Sequence, residues 1–197
     1  MKVLIIYCHP NENSFTAAVR DLVVNKLEEK GIEYQLTNLY QEGFEPHIHK
    51  TELETYLDPQ VNQSYVKHHV QNVLWCDTLI FIYPTWWYGL PAMLKGWMDR
   101  VLLPGVAFHM PTNNERIKPG LRHINRLGLF TSGGATWFVT LLMGSPGKKT
   151  ILRAIRSLCH PRTKTAFISH YQMDSSTHES RRYHLKKVEQ KLGKLIR

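Results

Sequence analysis

Three aromatic residues stand side by side directly after an apolar run, in a segment whose residue types could hold a flat ring. The run TLIFIY ends at Pro84, and Trp86, Trp87 and Tyr88 follow almost at once. Three neighbours on a turn cannot all point into a core, although a hydrophobic corner between a strand and a helix is the plainer explanation. We predict that this turn presents backbone amides and aromatic faces to a planar, electron-accepting ring.

The segment CHPNENSFT has the composition of a phosphate cradle. It runs into a predicted helix N-terminus, where Asn13, Ser14 and Thr16 place amide or hydroxyl groups beside unpaired backbone N–H donors. His9 can add a charge-assisted contact to an anion. The segment lacks the Gly-x-Gly-x-x-Gly pattern, and an ordinary helix cap beside a loop histidine explains the same residues. Both interpretations remain open from the sequence.

The segment TSGGAT is the third candidate loop. Gly133 and Gly134 allow another group to approach the backbone closely, and the loop can supply one or two N–H donors. A flexible surface loop is the alternative explanation.

The elements that must position these loops alternate between short apolar runs and amphipathic stretches. Strand candidates are KVLIIY, EYQLTNLY, TLIFIY, RLGLFT and TKTAFIS. Helical periodicity follows the first strand, with Asn13 or Ser14 as N-cap and Gly31 as the stop, and recurs over 66–75, AMLKGWMDRVL and 177–196. This alternation predicts an α/β fold with a parallel sheet covered on both faces. Ligands bind at the carboxyl ends of such strands, so the three loops can build one site.

Length and composition fit one globular domain over residues 1–197. The chain is 43% hydrophobic and 21% charged, and its N-terminal apolar run is too short for a signal peptide or a membrane span. Cys8, Cys76 and Cys159 are widely separated and show no metal-ligand spacing. We expect reduced cysteines, no metal site and a cytoplasmic protein.

The positive charge is concentrated at the C-terminus. Residues 148–197 carry 13 Lys and Arg against 3 Asp and Glu, whereas residues 1–147 carry 12 against 13. This asymmetry indicates either a basic patch for phosphates, anionic lipid or an acidic partner, or a solvated face on the last helices. We favour the solvated face and expect no nucleic-acid partner, because no nucleic-acid-binding motif accompanies the charge.

The segments CHPNENSFT, NLYQEGFEP, CDTLIFIYPTWWYGLPAMLKGWMDRVL and TSGG resemble, in order and spacing, the flavodoxin-like NAD(P)H:quinone oxidoreductases. This group includes quinone reductases, modulators of drug activity and flavoproteins ancillary to potassium-efflux systems, and the resemblance covers about residues 2–134. It implies a flavodoxin-like three-layer sandwich with strand order 2-1-3-4-5. It also implies a bound flavin, FAD more often than FMN, with NAD(P)H as donor, a quinone-like acceptor and a homodimer.

The resemblance also assigns roles to residues. The implied cofactor-binding residues are His9, Ser14, Phe15 and Thr16 at the flavin phosphates, Pro84, Thr85, Trp86, Trp87 and Tyr88 along the ring, and Thr131, Ser132, Gly133 and Gly134 at its other edge. The implied substrate pocket contains Trp87, Phe108 and Trp137, with Phe108 offered to the partner subunit's site.

One family feature is missing. Family members carry a Tyr and a His shortly after the T-x-G-G loop, but here the segment ATWFVTLLMGSPGKK contains neither. Trp137 and Phe138 occupy that region, and we assign no catalytic side chain. Either backbone N–H groups of residues 131–134 stabilise charge on the reduced flavin, or His160 or His109 replaces the missing pair.

The predicted activity is a ping-pong cycle in which NAD(P)H reduces the flavin and a quinone or similar acceptor then takes two electrons. The alternative is a flavin-binding regulatory subunit of a membrane transport system, which would contact the membrane or a membrane protein through the basic C-terminal region. An electron carrier of the flavodoxin type fits less well, because such carriers are generally acidic and this chain has a net charge of +9.

Overall fold

The computed structural model, which describes residues 1–111 and 116–197, is built around a five-stranded parallel sheet. The strands are β1 (Lys2–Tyr7), β2 (Glu33–Asn38), β3 (Thr78–Pro84), β4 (Phe108–His109), β5 (Lys118–Pro119), β6 (Arg126–Ser132) and β7 (Lys164–His170). The main sheet has the order β2-β1-β3-β6-β7, and all its neighbouring strands run parallel. This confirms the predicted order 2-1-3-4-5. The two-residue strands β4 and β5 form a separate antiparallel pair.

Helices follow the strands and cover the sheet. They are α1 (Phe15–Glu29), α2 (Lys50–Glu54), α3 (Lys67–Trp75), α4 (Ala92–Val101), α5 (Trp137–Leu142), α6 (Pro146–Lys149), α7 (Arg156–Leu158) and α8 (His178–Leu195). A π-helical segment, Thr150–Ile155, joins α6 to α7. Of the two predicted caps for α1, Ser14 is the residue used, and Gly31 follows the helix with a φ of 61°. The left-handed conformation explains why a glycine stands at this stop.

Alternate residues of the central strands enter two separate cores. Leu4 and Leu79 face one core, which α3 and α4 cover, while Val3 and Ile80 face the other, which α1 and α8 cover. Every residue of β3 is buried. Because a parallel strand in mid-sheet is covered on both faces, its sequence is a continuous apolar run without polar alternation. The predicted three-layer arrangement is confirmed.

A cluster of three rings fixes the end of β7 to α1 and α8. The rings are those of Phe15, His170 and His184, with centroids 5.0 to 5.7 Å apart. Both histidines are buried. Burial lowers the pKa of His184 to about 4, and neighbouring His170 and Lys187 act in the same direction. Burial also lowers the pKa of His170, and Arg181 adds to that shift. Both imidazoles are therefore neutral in the folded protein at neutral pH.

This cluster predicts a loss of stability in mild acid. The folded pKa of His184, about 4, lies below the ordinary value of 6.5, so the unfolded chain binds more protons between these values. The free energy of unfolding should hold above pH 6.5 and fall as the pH drops towards 4. We expect a smaller fall between pH 7 and 5 for His184→Gln, measured by urea unfolding at both values.

The matched control is His178→Gln, an exposed position in the same helix, which should keep the pH dependence of the parent protein. Part of the fall should persist in His184→Gln, because burial also lowers the pKa of His69, on the other side of the sheet, to about 4. An equal fall in His184→Gln and the parent protein would contradict the role given to this cluster.

Candidate functional site

The loops that follow β3 and β6 meet the end of β7 at one edge of the sheet. The Thr85 N–H donates to the Ser132 carbonyl at 2.6 Å, and the Gly133 N–H donates to the His170 carbonyl at 2.8 Å. The Thr85 and Thr131 hydroxyl oxygens lie 3.0 Å apart. The hydrogen-bond ladder of the sheet thus continues past the strands and fixes both loops.

The loop after β1 reaches the same edge. The rings of His9 and Trp86 have centroids 6.5 Å apart. The structure therefore brings together the three loops that the sequence analysis selected.

The aromatic segment forms a tight two-residue turn. The Gly89 N–H donates to the Trp86 carbonyl at 2.9 Å, and between them Trp87 and Tyr88 have φ values of 48° and 61°. Such a turn ordinarily carries Asn or Gly at its centre, because the left-handed region is unfavourable for other residues. Trp87 is nevertheless 95% exposed and Trp86 is 43% exposed. The hydrophobic-corner explanation is therefore wrong for Trp87, which gains almost nothing from burial.

An open cleft of two lobes lies beside this turn. The first lobe has a volume of about 280 Å³ and the second about 70 Å³. The first is lined by Thr85, Trp87, Tyr88, Gly133, Gly134, Ala135, Thr140, Ser169 and Tyr171. The second shares Thr85, Tyr88, Thr140, Ser169 and Tyr171 and adds Tyr83, Thr131, Trp137, Leu141, Ser145, Gly147, Lys148 and Phe167. Aromatic rings and hydroxyl groups dominate the walls.

The two glycines after β6 lie close to neighbouring side chains. A Cβ on Gly134 would lie 2.4 Å from Asp174 Oδ2, and one on Gly133 would lie 3.3 Å from the Thr85 Cβ. The Gly133 carbonyl also accepts the Met173 N–H at 3.0 Å. The flexible-loop explanation is therefore wrong. Because the Thr85 and Gly133 N–H groups are already bonded within the protein, the predicted set of backbone donors is smaller than the sequence suggested.

The first loop is organised as a helix N-terminus. Ser14 caps α1, its hydroxyl oxygen accepting the Ala17 N–H at 3.0 Å. The His9 Nδ1 accepts the Asn11 N–H at 3.0 Å. Burial lowers the pKa of His9, so its ring is neutral at neutral pH and the charge-assisted contact predicted for it is absent in the protein alone. The partial positive charge of the helix end remains as the attraction for an anion.

A carboxylate in this loop is held by its neighbours. Glu12 forms an ion pair with Arg20 and accepts a hydrogen bond from the Asn38 side chain at 3.1 Å. The contact with Arg20 lowers the pKa of Glu12. Its negative charge, which would oppose an anion at the helix end, is thereby partly neutralised.

Two residues predicted at the phosphates contribute mainly to the protein interior. The Phe15 ring packs on His170 and His184, and Thr16 is buried. With the buried Ser132, they line a narrow crevice between α1 and the ends of β3 and β6. Pro84 is the last, buried residue of β3.

Three further sequence predictions fall outside the cleft. Phe108 packs, half-buried, against the core on the α3 and α4 side, and neither it nor the exposed His109 lines a lobe. The His160 N–H donates to the Ile124 carbonyl at 3.0 Å, just before β6 begins. His160 therefore lies at the opposite edge of the sheet, because β6 enters the cleft at its other end. The proposal that it replaces the missing pair is wrong.

Several residues of the cleft were not predicted from the sequence. Ser169 and Tyr171 stand at the end of β7, and because TKTAFIS was already predicted as a strand, their position was available from the pattern. Tyr83, from inside the apolar run, is a lining residue of the second lobe although it is almost fully buried. Burial raises the pKa of Tyr83, so its hydroxyl stays protonated. Lys148 carried no signal in the sequence beyond its charge.

An apolar surface flanks the second lobe. None of the α5 residues is buried. Those that are about half exposed or more, together with the residue that follows the helix, are Trp137, Phe138, Leu141, Leu142 and Met143. We call these five residues the α5 surface.

Part of the basic C-terminal charge lies on α8, away from the cleft. A groove beside Ile168 of β7 is lined by three lysines of α8, Lys187, Lys191 and Lys194. This groove has no lining residue in common with the cleft. Among the helices that the structure describes, none combines the length and the apolar character needed to cross a membrane.

Comparisons with known proteins agree with this architecture. The ribosyldihydronicotinamide dehydrogenase [quinone] of Pongo abelii is 34% identical over 126 residues, which are 56% of this chain and 54% of that protein. The chain thus spans about half the length of the curated relatives it matches. The NAD(P)H:quinone oxidoreductase structure from Methanothermobacter marburgensis has a TM-score of 0.81 at 24% identity, covering 100% of this chain and 98% of its own.

An FMN-dependent NADH-azoreductase from Bacillus anthracis, solved in complex with FMN, has a TM-score of 0.76 at 18% identity, and each chain is covered completely, at 100%. At these identities both structures establish the fold. A family profile described as a flavodoxin-like fold matches residues 1–192. The chain therefore belongs to the flavodoxin-like family.

Proposed function

We propose that the chain is a flavin-dependent NAD(P)H oxidoreductase that reduces quinones or similar acceptors by two electrons in a ping-pong cycle. The observation that carries this proposal is the strained, solvent-exposed aromatic turn beside an open cleft at the carboxyl edge of the sheet. The left-handed conformation of Trp87 costs free energy and leaves its indole exposed to water. A ligand that binds against this indole explains why the conformation is kept. The Pongo abelii relative carries a quinone dehydrogenase name, which supports the same activity.

The residues present fit a flavin nucleotide. The N-terminus of α1, with Ser14 and His9 beside it, would hold the phosphate, and the turn at Trp86 and Trp87 would hold the ring next to the loop at Gly134. A Cβ on Gly134 would lie 2.4 Å from the end of the Asp174 side chain, so the loop lies against the segment that precedes α8. We propose FMN in place of the FAD expected from the resemblance, and the FMN complex of the Bacillus anthracis protein supports this choice.

The chain itself would supply binding, orientation and a protonated hydroxyl. A bound flavin would take a hydride from NAD(P)H and deliver two electrons to the acceptor. The Thr85 to Thr131 contact would keep the two loops at a fixed separation. The Tyr83 hydroxyl, held protonated by burial, would donate a hydrogen bond within the second lobe. The aromatic side chains around the cleft would exclude water from a ring lying between them.

The enzyme is preferred over a regulatory flavin-binding subunit. The basic groove on α8, which such a subunit would use, is separate from the cleft, whereas the relatives that match carry oxidoreductase names. We place the protein in the cytoplasm as a single domain, and three buried, unpaired cysteines support a reducing compartment.

We further propose a homodimer that covers the α5 surface. Leu142 is 68% exposed and Phe138 is 64% exposed, and contiguous apolar patches of this kind mark interfaces. Light scattering should give twice the chain mass of 23.0 kDa. Leu142→Glu should shift the protein to a folded monomer, while Leu53→Glu, at an equally exposed leucine on α2, should not. A parent protein that is monomeric at tens of micromolar would contradict the dimer.

The central experiment is flavin titration followed by turnover. Purified protein should quench flavin fluorescence with a dissociation constant below tens of micromolar, a binding free energy of about 6 kcal/mol or more. The loaded protein should oxidise NADH or NADPH only when a quinone is present under anaerobic conditions. Binding of neither FMN nor FAD would remove the proposal, and binding without turnover would favour the regulatory subunit.

The strained turn gives a paired prediction. Trp87→Gly should raise the free energy of unfolding by about 1 kcal/mol, because glycine adopts the left-handed conformation without strain and little burial is lost. The same change should weaken flavin binding about tenfold through loss of the aromatic contact. Trp87→Ala should weaken binding equally without stabilising the fold. Urea unfolding and flavin titration measure the two effects, and a Gly variant with undiminished affinity would show that the indole does not touch the flavin.

A further inference from the structure

The cleft contains one charged group, and the proposed function has not used it. Among the described residues that line either lobe, Lys148 is the sole Lys, Arg, Asp or Glu. Its ammonium nitrogen lies 4.4 Å from the centroid of the Phe167 ring, which is itself a wall of the second lobe. Lys148 has no ion-pair partner within the part of the chain that the structure describes. The second lobe therefore has one positive charge at its rim, on an exposed side chain that no carboxylate pairs with in the described part of the chain.

The backbone that carries Lys148 is tightly fixed. A Cβ on Gly147 would lie 3.1 Å from the Tyr83 hydroxyl and 3.3 Å from the Gly89 carbonyl carbon, so α6 packs directly against β3 and the aromatic turn. Ser145, in a left-handed conformation with a φ of 49°, donates its hydroxyl to the Thr140 carbonyl at 3.1 Å. The position of Lys148 at the cleft wall follows from these contacts.

The remaining walls of the second lobe suit an aromatic ring with polar substituents. Trp137 and Phe167 have aromatic side chains, while Tyr83, Ser169 and Tyr171 carry hydroxyl groups. A neutral ring would bind these walls equally well with any residue at position 148. A ring that carries an anionic group would gain from Lys148 alone, because hydroxyl groups cannot neutralise a charge.

We propose that Lys148 is a specificity-determining residue that selects aromatic acceptors bearing a sulfonate or carboxylate group. The anionic group would bind the ammonium at the Phe167 wall, and the ring would lie in the cleft beside Trp137. This inference rests on the proposed function, because it names the substrate class of the same site. The ammonium already lies over an aromatic face, an arrangement that keeps a cation in place.

The kinetic test compares two quinones that share one ring system, of which one carries a sulfonate group; comparing the same pair in the parent protein and its variants cancels their intrinsic difference in reactivity. The probes are 1,4-naphthoquinone and 1,4-naphthoquinone-2-sulfonate, and the quantity is the ratio of kcat/KM for the sulfonate to kcat/KM for the neutral quinone. Lys148→Met keeps the apolar stem of the side chain and removes the charge. We expect this ratio to fall about fivefold to tenfold, as for one charge-assisted contact at a partly open site. The control Lys149→Met changes the neighbouring exposed lysine, which lines neither lobe, and should leave the ratio as in the parent protein.

A phosphate of the dinucleotide donor is the other source of a negative charge. In a ping-pong cycle the kcat/KM for the donor is independent of the acceptor, so the two sources separate. If Lys148→Met lowers kcat/KM for NADH or NADPH while the ratio between the two quinones stays constant, Lys148 recognises the donor and the proposal is wrong. The proposal is also wrong if the ratio of kcat/KM between the two quinones is the same in the parent protein and in both variants.

A binding measurement without turnover separates this inference from the proposed function. The probes are 8-anilinonaphthalene-1-sulfonate and N-phenyl-1-naphthylamine, which are the anionic and neutral forms of one fluorescent ring system. Protein as purified should prefer the sulfonate, and Lys148→Met should reduce that preference about fivefold while Lys149→Met retains it. A retained preference in Lys148→Met overturns the inference even if quinone turnover is found. A lost preference supports the anionic subsite even if no flavin binds.

Discussion

The site depends on the parallel ladder continuing beyond the ends of its strands. Thr85 and Gly133 lie in loops, yet their N–H groups make the hydrogen bonds that the next residue of a strand would make in the sheet. Two loops that would otherwise be free are thereby held at the spacing of adjacent strands, about 4.8 Å. The aromatic turn and the loop after β6, which form the walls of the first lobe, begin at these anchors. Because these two N–H groups already donate within the protein, a ligand in the cleft must bind to other groups of the loops.

The aromatic turn has an unfavourable backbone conformation that is not offset by burial of the Trp87 side chain. A two-residue turn with Trp and Tyr in left-handed conformations is unfavourable at both positions. The surrounding structure enforces it, because β3 ends at a buried proline and Gly147 packs against the carbonyl of Gly89 on the far side. These contacts, all within the protein, hold the turn in this conformation without a ligand. Rigidity of this kind reduces the ordering cost of binding a flat molecule.

Much of this architecture could be predicted from the chain. Continuous apolar runs such as KVLIIY specify buried parallel strands, and the Ser14 cap and the Gly31 stop follow from backbone chemistry that is local in sequence. The loops that follow β1, β3 and β6 are then expected to lie together, because the carboxyl ends of parallel strands meet at one edge of the sheet. What could not be predicted depends on tertiary contacts. The conformation of Trp87, the opposite-edge position of His160 and the bonded state of the Gly133 N–H are set by partners far away in the sequence.

The short helices that follow β6 also could not be predicted from the sequence. The helix α5 exposes the residues that its apolar composition would assign to a core, and the π-helical segment at Thr150–Ile155 has no signature in residue type. Lys148 was one of many basic residues in a positively charged region. Its position at the wall of the second lobe, over the Phe167 ring, distinguishes it from Lys149.

The order of the strands has a consequence for synthesis of the protein. The last strand of the sheet, β7, is also the last strand made, and it supplies Ser169, Tyr171 and the carbonyl that anchors Gly133. A nascent chain that ends before β7 lacks these groups and therefore has no finished cleft. A molecule that binds only the finished cleft stabilises only chains whose last strand is in place. Cofactor supply would then affect how many newly made chains survive in the cell.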